Sequence, residues 1–407
     1  MHSWPMVFLP PLDDYQFPHL NLVDSNKGLI KIPDSENFSI YVCGITPYDS
    51  THLGHAATYL AFDLINRYQF LSKHQVKFIE NVTDIDDPLL ERAKRDNLEW
   101  QTLAQDQIDL FKSDMSALRI LPPEKLVKVT DSFDLIEKFI TQLSERGFLY
   151  KVEEDYYFSV SDFLDDLPIS VDQAKTIFKE RGGDPDRIGK KHPLDPVVWL
   201  ANRDGEPGWP SKFGFGRPGW HVECTAIACN YLDNFNSDPI IDLQGGGSDL
   251  LFPHHYMSAK IVKAAFGREF ASLYVHAGMI GLDGEKMSKS KGNLIFVSRL
   301  LENQVDPMVI RWALLTGHYQ SDRQWSDELL RKAESEIELV RTALSRNEVA
   351  DTDQLIKDLI SDLANNLDTP TALNRLVLWA ITSQKDASFN KSGEVSRAID
   401  SLLGLAL

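Results

Sequence analysis

Two short segments carry side chains whose types and spacing could handle phosphate. In His52-Leu53-Gly54-His55 two imidazoles stand three residues apart, which on a helix places them on one face. A helix starting there would add unpaired N–H groups and its positive dipole end, so the pair would face an anion. Gly54 between them removes a side chain that would block a flat adenine. About 230 residues downstream, Lys286-Met287-Ser288-Lys289-Ser290 puts two lysines on a loop bracketed by Gly284 and Gly292. Such lysines can swing over the same phosphates as mobile point charges. Singly, a His-x-x-His is usually a solvated or capping pair, and a glycine-flanked lysine loop an exposed turn. Together, in this order and with a nucleotide-binding domain between them, they specify a nucleotide chemistry.

The elements around them read as a parallel α/β unit. Ile40-Tyr41-Val42 is a short β-prone run ending at Cys43-Gly44, with Pro47 and Asp49 supplying turn chemistry. A helix is expected from Gly54 to Leu71, apolar at Leu60, Leu64, Tyr68 and Leu71. A second run, Val76 to Ile79, leads into Asn81-Val82-Thr83-Asp84. Strand, helix and strand in this order form a βαβ unit, and ligands bind beyond the carboxyl ends of its strands. Cys43, His52, His55 and Asn81 to Asp84 all fall there. Residues 100 to 195 read as mainly helical, with a β-like Tyr156-Tyr157-Phe158. Further strands are expected at Ile240–Leu243 and Leu273–His276. From Ser326, a candidate N-cap, to Leu407 the pattern is helical. The divisions expected are an N-terminal extension (1–36), a first catalytic half (37–120), a connecting insertion (121–195), a second half with the lysine loop (196–325) and a helical tail (326–407).

Composition narrows the class. The chain has 407 residues, 43% of them hydrophobic and 25% charged, as in a globular protein with a sizeable core. No apolar run approaches the roughly 18 residues a membrane helix needs, and Met1-His2-Ser3-Trp4-Pro5 lacks signal-peptide character. A cytoplasmic enzyme is the expectation. A formal net charge of -18 tilts away from holding a polyanion such as nucleic acid. Three cysteines, Cys43, Cys224 and Cys229, are too few and too odd in number for a disulfide framework. Cys43, Cys224 and the pair His254-His255 are candidate metal ligands, but spacing alone favours packed buried thiols, the commoner fate of free cysteine.

His52–His55 and Lys286–Ser290 resemble the HIGH and KMSKS signatures of class I aminoacyl-tRNA synthetases, which make aminoacyl adenylates. The resemblance implies a Rossmann-like parallel sheet with a helical insertion and a C-terminal α-helical domain. Gly216-Arg217-Pro218-Gly219-Trp220-His221-Val222-Glu223-Cys224 and Gly245 to His255 are similar to stretches of cysteinyl-tRNA synthetases. That family holds zinc with two Cys, a His and a Glu four residues after the His. By this resemblance the zinc ligands are Cys43, Cys224 and His254, and Ser258 stands where the Glu would be. Three ligands leave an open position, the pattern of a functional zinc. A thiolate binds zinc far better than a hydroxyl does, so cysteine is the implied amino acid.

Cys43 through Tyr59, Asn81 to Asp84, Glu180 to Pro185 and His276 to Gly281 resemble the cysteine ligases of mycothiol biosynthesis, as does the three-ligand zinc set. Those enzymes couple cysteine to the amine of glucosaminyl-inositol. The implied chemistry is two-step: ATP, with Mg²⁺, adenylates cysteine, and the amine then displaces AMP. His52, His55, Lys286 and Lys289 would stabilise phosphate charge. Cys43, Gly44, Ile45, Thr46, Thr58, Asn81, Val82, Thr83, Trp220, Gly247, Ser248, Asp249 and Ile280 would border the adenylate. Asp249 is the candidate to orient or deprotonate the amine, with ribose binding or loop capping as its other reading. The family expectation is a monomer. An acidic tail of about 80 residues is little with which to bind an anticodon. The competing readings are a cysteinyl-tRNA synthetase with a reduced tail and an inactive paralogue that binds cysteine or an adenylate.

Overall fold

Five strands build the central sheet: β1 (Asn37–Val42), β2 (Gln75–Val82), β3 (Lys125–Lys128), β4 (Ile241–Gly247) and β5 (Ala271–Ala277). They lie in the order β5-β4-β1-β2-β3, and every neighbouring pair is parallel. This is the doubly wound order in which the winding reverses between β1 and β4, opening a crevice at their carboxyl ends. The structure is a computed structural model that describes residues 1–33, 36–49, 51–233, 238–282, 284–286, 292–386 and 391–407.

Helix α1 (Leu53–Leu71) follows β1 and is buried over almost its whole length. It can be so because it lies between the sheet and the last helix of the chain. A Cβ on Gly245 of β4 would stand 2.3 Å from the Phe62 ring, so glycine lets α1 rest directly on the sheet. The α/β reading of the sequence holds, and α1 begins one residue before its expected start. β3 differs. It lies past residue 120, in the stretch assigned to the insertion, because Lys-Leu-Val-Lys after Pro122-Pro123 is too short to show a period.

The insertion also departs from its mainly helical expectation. Leu149–Val152 and Asp155–Phe158 form an antiparallel hairpin, extended by Val197–Ala201 and Gly216–Pro218 into a second, four-stranded sheet. Helices Phe133–Glu145 and Val171–Glu180 accompany it. Residues 1–33 carry structure of their own: Asn21–Asp24 and Gly28–Lys31 pair as a hairpin, and buried Trp4 donates Nε1–H to the Ile120 carbonyl at 2.7 Å.

Four helices, Asp327–Leu344, Asp353–Ala364, Thr369–Ser383 and Ser392–Leu403, make the tail. Ser326 caps the first by accepting from the Leu329 N–H at 3.1 Å. One hydrophobic core runs from Trp4 through α1 to Leu405. Inside it Asp63 of α1 accepts from Arg67 Nε at 2.8 Å and from the Arg311 guanidinium. Arg67 also donates to the carbonyls of Asp400 (2.9 Å) and Ser401 (3.2 Å), and Arg311 to that of Leu403 (2.6 Å). The carbonyls of Ser401 and Leu403 at the end of the last helix are thereby satisfied by buried guanidinium groups. Among the described residues no helix is long and apolar enough to cross a membrane.

Candidate active site and metal centre

α1 starts on a histidine cap. His52 has extended backbone (φ -81°, ψ 163°), and its Nδ1 accepts from the N–H groups of Gly54 (3.1 Å) and His55 (3.4 Å). Leu53 N–H donates to the Ile295 carbonyl at 2.9 Å, and Ala56 N–H to that of His52 at 3.1 Å. The first turn therefore offers no open amide to a phosphate, contrary to the expectation from the sequence. The reason is local: the histidine ring folds back over its own helix. A Cβ on Gly54 would stand 2.9 Å from that ring, so the glycine makes room for the cap. An accepting Nδ1 is unprotonated, which assigns the proton of the neutral His52 ring to Nε2. The His55 ring stacks on it with centroids 3.8 Å apart. The pair therefore offers imidazole rings, rather than helix amides, at the start of α1.

The ends of β1 and β2 are latched together. Asn81 Oδ1 accepts from the Gly44 N–H (3.0 Å) and the Tyr41 hydroxyl (3.0 Å), while its Nδ2 donates to Thr83 Oγ1 (3.1 Å). A Cβ on Gly44 would lie 1.6 Å from the Asn81 carbonyl oxygen, so only glycine fits. Lys286 closes a two-residue strand, Glu285–Lys286, paired with Ile280–Leu282. Lys289 lies outside the described residues. Beyond the loop, Val297 N–H donates to the Thr51 carbonyl at 3.0 Å, which ties the loop's far side to the start of α1.

Cys43, Cys224 and His254 converge from three elements, with ligand atoms within 4.8 Å of one another and all three residues buried. Cys43 follows β1. Cys224 lies on α2 (Trp220–Leu232), one turn after His221. His254 follows a kink at Phe252 (φ -135°, ψ 134°) that precedes α3 (Tyr256–Phe266). His254 Nε2 is buried and has no hydrogen-bond partner among the described residues. Its Nδ1 lies 3.0 Å from Nδ1 of His221, whose ring burial keeps neutral. The His254 Nδ1–H can thus donate to His221 and leave Nε2 bare, as a metal-bound imidazole requires. Two sulfurs and one nitrogen with an orphaned lone pair suit a borderline-soft cation such as zinc. Ser258 is buried, its hydroxyl likewise without a partner among the described residues.

A polar chain stands behind Cys43. Its sulfur lies 3.3 Å from both Gln244 Nε2 and His255 Nε2. His255 Nδ1 meets His276 Nε2 at 2.8 Å, and His276 Nδ1 meets the Ser25 hydroxyl at 2.6 Å. Burial holds His255 well below the usual histidine range and takes His276 down to about 4. Two neutral rings can then pass donors in one direction, from Ser25 to the sulfur, while burial and neighbouring Cys224 push the Cys43 thiol well up.

These groups open into one cavity of ≈ 390 Å³ at the carboxyl ends of β1, β2 and β4. Of the residues expected from the sequence, Cys43, Gly44, Ile45, Thr46, His52, His55, Thr58, Asn81, Thr83, Trp220, Cys224, Gly247, Asp249 and His254 line it. Val82 and Ile280 are buried behind the wall, and Ser248 is exposed beside it. Trp220 stacks on His254 with centroids 4.3 Å apart. Asp249 is not isolated: Arg181 Nη1 holds its Oδ2 at 3.1 Å. Arg181 was missed as a site residue because it comes from the insertion, and no local spacing links it to Asp249. His221 had a usable signal, three residues before Cys224 on one helix face.

Residues 29–335 match the tRNA synthetases class I (C) catalytic domain. Over the whole chain and the whole of each relative, the sequence is 47% identical to the L-cysteine:1D-myo-inositol 2-amino-2-deoxy-alpha-D-glucopyranoside ligase of Nakamurella multipartita and 48% to that of Segniliparus rotundus. The chain belongs to this ligase family, within the class I synthetases. Its fold is shared with Mycobacterium tuberculosis methionyl-tRNA synthetase in complex with methionyl-adenylate (TM-score 0.63, 17% identity, 91% of this chain and 89% of that one). It is shared also with the Agrobacterium radiobacter LeuRS of a tRNA ternary complex (TM-score 0.66, 11% identity, 92% and 84%).

Proposed function

We propose that the protein joins the carboxyl group of L-cysteine to the amine of 1D-myo-inositol 2-amino-2-deoxy-α-D-glucopyranoside (glucosaminyl-inositol), through a cysteinyl adenylate made from ATP. One observation carries the reading: the stacked His52–His55 pair and the Cys43–Cys224–His254 cluster share a single cavity at the reversal of the sheet. The names of the full-length relatives support the choice of acceptor. The reaction belongs in the cytoplasm, on a monomer, without nucleic acid.

In the first step a carboxylate oxygen of cysteine attacks the α-phosphorus of ATP, the bond to the β-phosphate breaks, and pyrophosphate leaves. His52 Nε2–H and His55, with Lys286 and Lys289 from the loop and Mg²⁺ on the nucleotide, stabilise the charge that develops there. Thr46, Thr58, Asn81, Thr83, Trp220 and Gly247 hold the adenylate. Cys43, Cys224 and His254 would hold zinc. When bound, zinc supplies a thiophilic position that accepts the substrate sulfur and refuses the hydroxyl of serine. In the second step the acceptor nitrogen attacks the acyl carbon, AMP leaves, and a proton departs from the nitrogen. Asp249, fixed by Arg181, takes that proton.

The test is ATP-dependent capture of labelled cysteine, run in parallel on glucosaminyl-inositol and on total tRNA. Amide formed on the small molecule, with no charged tRNA, is the expected result. Charged tRNA and no amide would overturn the reading in favour of a synthetase.

A further inference from the structure

A second cavity of ≈ 630 Å³ opens onto the first, the two sharing Thr46, Tyr48, Arg181 and Trp220 as common wall. Its far side comes from the second sheet and from the loop after helix Val171–Glu180, elements that contribute little to the adenylate cavity. The lining contains five carboxylates, Asp86, Asp87, Glu91, Glu180 and Asp184, against three guanidinium groups, Arg181, Arg187 and Arg217. A cleft with that balance attracts a cation and repels a phosphodiester chain. Arg217 is 5% exposed and lines the cleft. Its Nη2 serves Asp87 and Glu206, yet its Nε has no partner among the described residues. A buried donor left open in this way is costly unless a ligand fills it.

We propose that this cleft is the subsite for the amino-sugar acceptor, in which Asp86 receives the ammonium group beside Thr46 and Trp220 and Arg217 Nε donates to a hydroxyl of the sugar or cyclitol. This rests on the ligase reading above and names the residues that would select its acceptor. Asp86 sits at the N-cap of helix Asp87–Asp96, where its Oδ1 accepts from the Asp87 N–H at 2.8 Å, so its carboxylate is held in place. Burial pushes Asp86 up to about 6, against that backbone hydrogen bond. A carboxylate so poorly solvated gains more from an ammonium partner than an exposed one does. The Trp220 ring, at the shared wall, gives the sugar a flat apolar face.

The experiment separates the two half-reactions. Cysteine-dependent ATP–pyrophosphate exchange needs no acceptor, and amide formation on glucosaminyl-inositol does. Asp86→Asn keeps a capping side chain and removes the charge. It should leave exchange within about twofold and lower kcat/KM for the acceptor by roughly ten- to a hundredfold. A neutral analogue with hydroxyl in place of the amine should inhibit wild type and Asp86→Asn with equal constants, since it has no ammonium to lose. Arg217→Lys, which keeps a cation for Asp87 but removes Nε, should raise the inhibition constant of that analogue by about tenfold. Unchanged acceptor kcat/KM in a folded Asp86→Asn, or an analogue constant unmoved in Arg217→Lys, overturns the assignment. A wild-type protein that exchanges pyrophosphate but forms no amide overturns the ligase reading instead.

Discussion

The two nitrogens of His52 are assigned separate jobs, and these can be pulled apart. Nδ1 caps α1, and the proposed mechanism gives Nε2–H to the phosphates. His52→Ala should cost about 1 kcal/mol of stability as well as activity. His52→Asn retains an N-cap and should hold Tm near wild type, yet lose about 10²-fold in cysteine-dependent pyrophosphate exchange. Thermal unfolding and exchange measured on both variants check this, and full activity in His52→Asn would show that the ring contributes only the cap. At the candidate metal centre, Gln244 reaches Cys43 without belonging to the cluster of Cys43, Cys224 and His254. Gln244→Leu should weaken zinc binding by roughly 10- to 100-fold, read by competition with a coloured chelator, with no zinc lost to a mere change of fold if Tm is retained.

At the scale of elements, the site exists because β1 and β2 end at nearly touching backbones. Gly44→Ala would drive a methyl group into the Asn81 carbonyl, which cannot retreat while it belongs to the strand ladder. The variant should lose more than about 3 kcal/mol, seen as a lower denaturation midpoint in urea. An equally stable Gly44→Ala would mean the strand ends are free to separate. The first turn of α1 carries a similar lesson. Segments far apart in the chain, residues 51–53 and 295–297, are stitched by backbone hydrogen bonds, so the far side of the lysine loop is anchored to the histidine segment.

At the scale of the molecule, the tail is fastened to the catalytic sheet through buried charge. Asp63 serves both Arg67 and Arg311, and these two reach the carbonyls that end the last helix. Burial opposes the Asp63 charge, but Arg67 and Arg311 together outweigh it and hold its carboxyl below the usual range. Because the folded value is depressed, its contribution is fully present above the unfolded value of about 4 and is lost as pH falls through the folded value. Asp63→Asn should destabilise by about 3–5 kcal/mol at neutral pH, leaving two buried guanidinium groups short of a countercharge. Its deficit against wild type should shrink below about pH 4, and a deficit constant with pH would rule out the carboxylate as the source. Stability measured in urea between neutral and acid pH decides it.

The residue types that do chemistry were legible in the chain because they come in short, ordered segments: His52 to His55, Lys286 to Ser290, Gly216 to Cys224. The βαβ pattern around them was legible because buried strands and an amphipathic helix differ in period. Resemblance supplied the choice of His254 over His255 among the candidate metal ligands, and the acceptor, which spacing could not. Only the tertiary structure decided which nitrogen of His52 caps α1, because capping depends on how a ring folds over its own helix. It alone paired Arg181 with Asp249 and set five carboxylates around a second cleft, for those contacts join segments with no common period. Local sequence fixes what a side chain can do, and distant chain segments meeting at the carboxyl edge of the sheet fix what it meets.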